Sequence, residues 1–142
     1  MTTGDRRSDL RSVVRYATRS FRSVTSPFLE STLLGACPGL RESWQARRRT
    51  FGASDEPDDR ALLDAVRRHV VELLVAGRVA EFSRFARTME RLLGEADPML
   101  FELLREGLLR PLARDVRDAA IPHERVTPYL GTRTALAWPD GR

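Results

Sequence analysis

The 142 residues contain no lysine and no asparagine, and cysteine and isoleucine occur once each, at Cys37 and Ile121. One cysteine excludes an internal disulfide framework and any metal cage built from thiolates alone. The longest stretch without a charged side chain runs from Ser31 to Leu40. That is half of the ~20 apolar residues a membrane-spanning helix requires. No segment alternates polar and apolar residues long enough to form a convincing strand, and no repeat of fixed period is present. A Gly-rich phosphate loop, a nucleophile-elbow serine and a His-Glu-x-x-His pair are all missing. The sequence points to no substrate.

A chain near 150 residues buries about 70% of its unfolded surface, enough for one core without staples. All 24 basic residues are arginine, and the formal net charge is +4. Such exclusive arginine usage is what the codons of a GC-rich bacterial genome supply, so its abundance is weak evidence for a nucleic-acid partner. The distribution is more telling. Residues 1–50 hold ten arginines against four acids, whereas residues 51–142 hold fourteen against sixteen. The basic character belongs to the N-terminus.

Arg6-Arg7 is followed by no apolar stretch, so the first residues do not read as a twin-arginine or secretory signal. From Leu10 to Val24 the spacing predicts an amphipathic helix. At about 100° per residue, Leu10, Val13, Val14, Ala17, Phe21 and Val24 share one face, and Arg11, Arg15, Arg19 and Arg22 the opposite one. Ser26-Pro27 opens a new helix with a hydroxyl cap and proline in the first turn. Short helices over 28–35 and 40–49 follow, separated by Cys37-Pro38-Gly39, and the Gly-, Ser- and acid-rich residues 52–59 form a loop.

Three stronger helices come next. The first runs from an Asp58/Asp59 cap to Gly77, with Leu62, Leu63, Val66, Val70, Leu73 and Leu74 inward. The second runs from Val79 to Leu93 and buries Val79, Phe82, Phe85, Ala86, Met89, Leu92 and Leu93. Asp97-Pro98 starts the third, where Leu100, Phe101, Leu103, Leu104, Leu108 and Leu112 point to a central position. Gly107 in its apolar arc permits close helix approach. Pro111 withholds the donor for the Gly107 carbonyl, which predicts a kink or restart. Residues 114–120 finish the helical part, and 122–142 form a tail pinned by Tyr129, Leu130 and Trp138. The fold class is all-α: a compact bundle of about five to seven helices with an irregular C-terminal tail. Residues 1–26 form a basic amphipathic extension and 27–142 a single helical domain.

Few residues invite chemistry. His69 and Glu72 lie three apart on one helix, a spacing that can hold a metal, but a third ligand is lacking. A histidine at the edge of an apolar arc more commonly donates to a backbone carbonyl. His123 beside Pro122 reads as a loop cap. Cys37 could serve as a nucleophile, although free cysteine mostly behaves as a small hydrophobe. Glu90 borders the apolar stripe of its helix and must find a partner, most simply Arg105 or Arg110, in an ion pair that fixes helix register or in a binding role. Glu102 and Glu106 belong to a solvated face. No catalytic, cofactor-binding or metal-ligating residue is assigned, and no cofactor. Arg11, Arg15, Arg19 and Arg22 are the candidate contacts for a polyanion or partner, through a membrane-surface helix or a nucleic-acid arm. A helix that merely covers a partner, or residues upstream of the true start, are the plainer readings.

From Phe28 onward the chain resembles an uncharacterised family of small helical bacterial proteins, similar to immunity-type or accessory proteins of toxin systems. The resemblance rests on Cys37-Pro38-Gly39-Leu40 with Trp44, on Phe85, and on Met89-Glu90-Arg91-Leu92-Leu93-Gly94-Glu95-Ala96-Asp97. Gly107-Leu108-Leu109 and Tyr129-Leu130-Gly131 with Trp138 complete it, and residues 1–26 lie outside. It implies a helical fold without known catalytic residues. The resulting expectation is a cytoplasmic, non-enzymatic protein–protein interaction domain. Its alternative is a basic nucleic-acid- or membrane-surface-associated factor acting through the first helix. The partner is another protein, with weak non-specific polyanion contact and a second copy of the chain as further options.

The extension should be separable from the fold. Six small-to-medium side chains at ~25 cal/mol per Å² supply a few kcal/mol, which ordering about fifteen residues consumes. A chain beginning at Ser26 should therefore keep its melting temperature within a few degrees and lose its low-salt polyanion affinity. Unfolding of that truncated chain would place the extension in the core.

Overall fold

A computed structural model describes residues 27–50 and 58–139, all helical or in short turns. The amphipathic Leu10–Val24 segment, with Arg11, Arg15, Arg19 and Arg22, lies outside the described residues, as does most of the loop before Asp58. Helices α1 (Pro27–Ala36) and α2 (Pro38–Thr50) open the fold. Each begins on a proline, which suits the first turn because the amide it lacks would have no helical partner there. Helix α1 buries Leu29, Leu33, Leu34 and Ala36, and α2 buries Leu40 and Trp44, one apolar residue per turn. Cys37 sits buried between them, its N–H donating to the Leu33 carbonyl at 3.0 Å.

The caps read at Asp58, Gly77 and Asp97 are observed, while Ser26 lies outside the described residues. Asp58 accepts the Ala61 amide at 3.0 Å and starts α3 (Asp59–Ala76). Gly77 ends it at φ 73°, a left-handed conformation that a Cβ would strain. Helix α4 (Val79–Glu95) follows within two residues, and Asp97 caps α5 (Pro98–Leu104) by accepting the Leu100 amide at 2.8 Å. Helix α4 packs on α1 and α3 and on the C-terminal helix, while α3 also meets α2 and the helices after α5. The core gathers Trp44, Phe82, Phe85, Met89, Leu104 and Leu108, each at most 2% exposed.

Pro111 produces the predicted break in a specific form. Arg105–Leu109 make a π turn, and the Arg110 N–H reaches back five residues to the Arg105 carbonyl before α6 (Arg110–Asp118) continues. The extra residue in that turn delays the phase of everything after it. Leu109, on the solvent side of an uninterrupted helix, is fully buried as a result, next to Leu108. Gly107 lies in the same turn, and a Cβ there would come within 3.0 Å of Leu63 Cδ1. Close approach of α3 is what this glycine allows.

The tail is more regular than its sequence suggested. Two 3-10 turns, His123–Arg125 and Thr127–Tyr129, lead into a six-residue helix, α7 (Thr132–Ala137). Ile121, Val126, Thr134 and Ala137 are buried, so this segment is packed onto the bundle. Among the described residues no helix is long and apolar enough to cross a membrane.

Core truncations should be costly. Phe85→Ala and Leu104→Ala are each expected to lower stability by about 2–5 kcal/mol in urea denaturation, since both side chains are enclosed. Unchanged midpoints would mean that α4 and α5 do not share the core described here.

Candidate functional site

Helix α4 displays three kinds of side chain at different angles. Phe82, Phe85, Ala86, Met89, Leu92 and Leu93 face inward. Arg84, Arg87 and Arg91, spaced i, i+3 and i+7, are exposed on the opposite side. Glu81 and Glu90 stand on the two seams between these faces, on opposite sides of the helix and about two and a half turns apart along it. Val79, placed on the apolar stripe by its spacing, is instead 48% exposed in the first turn.

Glu90 is a structural anchor, and its partner differs from the expected one. Arg105 and Arg110 pair with their own helical neighbours, Glu102 at 2.9 Å and Glu106 at 3.3 Å. The Glu90 carboxylate instead accepts the Arg133 N–H at 3.0 Å, the Thr134 N–H at 2.9 Å and the Thr134 hydroxyl at 3.0 Å. The Arg133 guanidinium adds a contact at 3.5 Å. These donors are the otherwise unpaired amides of the first turn of α7, so one carboxylate ties that helix to α4. Partial burial pushes the Glu90 carboxyl up, but the backbone and hydroxyl donors outweigh it and hold it below the usual carboxylate range. Gly131 fits this contact tightly, since a Cβ there would lie 2.4 Å from the carboxyl group.

Glu81, on the other seam, escaped the sequence reading. It accepts from Arg78 at 2.9 Å and from the Gly39 N–H at 3.4 Å, and contacts His69 Nε2 at 3.2 Å. His69 therefore faces Glu81 on α4, and the expected backbone-carbonyl partner is replaced by a carboxylate. Burial raises the Glu81 carboxyl, and the histidine, the amide and the arginine lower it more. Cys37 lies in the same region, its thiol pushed up to about 12 by burial first and the Glu81 charge second. A cysteine nucleophile needs the reverse, a stabilised thiolate. Among the described residues no three His, Cys, Asp or Glu side chains form a group that could hold a metal ion.

A third seam carboxylate was equally invisible in the sequence. Glu30 on α1 accepts Trp44 Nε1 at 2.7 Å and Arg48 at 2.8 Å, joining α1 to α2. Trp44 is an unremarkable core residue by sequence, and only its buried indole N–H reveals the need for an acceptor.

Two hollows lie where α4 meets the C-terminal segment. The larger, about 570 Å³, runs between α4 and the C-terminal segment, with Ala86, Tyr129, Leu130 and Gly131 around Glu90 and with Arg87, Arg91 and Arg133 lining it. The smaller, about 250 Å³, lies at the α3–α4 corner between Leu74, Val79, Phe82, Pro128 and Tyr129, with Arg78, Arg125 and Glu124 completing its wall. Tyr129 separates them, 37% exposed and meeting Phe82 edge-on at 5.9 Å.

Removing the anchor should loosen the C-terminus. Glu90→Gln is expected to cost about 1–2 kcal/mol, and Glu102→Gln, on an exposed pair, close to nothing. Gly131→Ala should match Glu90→Gln, and the two together should cost less than their sum. A group with a lowered folded pKa stabilises above its unfolded value near 4.3 and ceases to do so as pH falls through the lower one. Melting temperatures from pH 6 to pH 3 should therefore fall more steeply for the native chain than for Glu90→Gln. Parallel curves would show that Glu90 is solvated.

No curated protein and no solved structure is detectably similar to this chain. A family match covers residues 31–140, from within α1 to just past Trp138, and so takes in two of the three seam carboxylates, Glu81 and Glu90. The chain belongs to the family described as a domain of unknown function (DUF7674).

Proposed function

We propose that this chain is a non-catalytic protein–protein interaction domain acting in the cytoplasm, with its docking face on the α3–α4 corner and the adjoining C-terminal segment. One observation carries the reading: an exposed patch with an apolar centre and a charged rim. Val75 and Val79 are exposed at the corner, and Val79, Leu74, Pro128 and Tyr129 surround a hollow that reaches Phe82. Arg78, Arg125 and Glu124 lie at its edge. Exposed apolar side chains grouped around a concavity and rimmed by charge mark a binding surface more often than an accident of composition. Cys37, Glu81 and Glu90 are engaged in packing and helix anchoring, which supports a role other than catalysis. An immunity or accessory protein of a bacterial toxin system is the concrete form of this proposal, supported by the small helical scaffold.

The test is affinity purification of the tagged full chain from its native cells, in parallel with Val79→Asp combined with Tyr129→Ser. The native chain should retain a protein that the variant loses by at least about tenfold while the variant still melts cooperatively. Identical protein sets from both would overturn the proposal. Recovery of nucleic acid alone would favour the arginine-rich first segment as the working part.

A further inference from the structure

The arginines on the outer face of α4 differ from those of α5 and the π turn. On α5 and the π turn, Arg105 pairs with Glu102 and Glu106, and Arg110 pairs with Glu106. Arg67 is held by Asp64 and Asp115, and Arg48 by Glu30. Arg84 and Arg91 have no ion pair among the described residues, and Arg87 bonds only to the Ser83 hydroxyl at 2.9 Å. Like charges three and four residues apart on one helix face repel, so this stripe opposes folding slightly and gains nothing inside the domain.

Across the groove stands Arg133, whose side chain is 61% exposed. Its side chain lies over Gly94, where a Cβ would come within 3.3 Å of the guanidinium carbon. Bare backbone at Gly94 thus lets a third guanidinium close over the groove that Arg87 and Arg91 line. The carboxylate at the centre, Glu90, has its oxygens occupied by two amides and a hydroxyl, with the Arg133 guanidinium 3.5 Å away. The lining holds three guanidiniums, of Arg87, Arg91 and Arg133, against two carboxylates, of Glu90 and Glu95, a net positive charge above an apolar floor of Ala86, Leu130 and the Tyr129 ring.

We infer that this groove binds an acidic, amphipathic peptide segment of a partner protein, its carboxylates on Arg87, Arg91 and Arg133 and an apolar side chain on Leu130 and Tyr129. Guanidinium forks match carboxylates in pairs, and an apolar floor excludes the water that would otherwise weaken them. A single-stranded nucleic acid fits less well. Its bases need open aromatic faces to stack on, and the one aromatic ring here already packs edge-on against Phe82. This deepens the proposed interaction role by naming the chemistry of the partner segment at a groove next to the apolar corner.

The probe is a fluorescein-labelled peptide of four Glu-Glu-Leu repeats, titrated with the full chain by fluorescence anisotropy. Arg87→Ala with Arg91→Ala is the variant, and it keeps the N-terminal arginines, so any change isolates the groove. Affinity should fall about tenfold or more in the variant, and equally when glutamine replaces glutamate in the peptide. Equal binding by native chain and variant, or by the glutamine peptide, would overturn the inference. A twelve-nucleotide thymidine strand that binds more tightly than the peptide and is lost in the same variant would also overturn it, and assign the groove to nucleic acid. The outcome is separable from the wider reading. Peptide binding without any co-purifying protein would count against the interaction role alone, and a captured partner that ignores Arg87 and Arg91 against the groove alone.

Discussion

A carboxylate drawn to the edge of a buried stripe must be given donors, because an ionised group loses too much hydration there to stand alone. Three glutamates among the described residues sit in that position, and each joins two elements that share little else polar. Glu30 ties α1 to α2 through Trp44 and Arg48. Glu81 ties α4 to α3 and to the start of α2 through His69 and Gly39. Glu90 ties α4 to the last helix through its first-turn amides. Apolar packing is permissive about rotation and sliding of helices, whereas these contacts fix one register.

Helix α4 carries two of the three and so becomes the part around which the rest is arranged. With one face buried and both seams anchored, its outer face has little freedom left, and what it presents there is positive charge. Glu81 and Glu90 lie close to that face, yet their charge is spent on amides, a histidine and single arginines. The field above Arg84, Arg87 and Arg91 is therefore set mainly by those arginines, with Glu95 at the end of the helix as the one acid on that face. Arg105 and Arg110 are paired with acids of their own helical run, whereas Arg84, Arg87 and Arg91 are left without an ion pair among the described residues, beside the two hollows.

The π turn is the second device that shapes the bundle. Pro111 cannot donate to Gly107, and the chain absorbs the missing bond by widening one turn in place of bending sharply. Two consequences follow from one residue. Leu108 and Leu109 both enter the core, and the bare backbone at Gly107 meets Leu63 of α3 at close range. The π turn and the helix that follows it, Arg105 to Asp118, thus present their apolar residues to α3.

Much of this was determined by the sequence alone. Caps at Asp58, Asp97 and Gly77, the 3.6-residue spacing of Leu62 to Leu74 and Phe82 to Leu93, and the break at Pro111 act within one or two helical turns. Local chemistry suffices to read them. The membership of Glu90 in a seam was also legible, because its angle on the helix is a local property. Its partner was not: Arg133 and Thr134 are more than forty residues away, and only the folded tail brings their amides to it. Glu30 and Glu81 carried no signal, since a glutamate on a helix looks solvated until a neighbouring element covers it. For the same reason the tail read as coil. A six-residue helix such as Thr132–Ala137 lacks the length to be stable by itself, and it forms where Glu90 satisfies its first amides and the bundle buries Thr134 and Ala137. Short elements and ion-pair partners depend on contacts distant in sequence, which is why tertiary structure alone decided them.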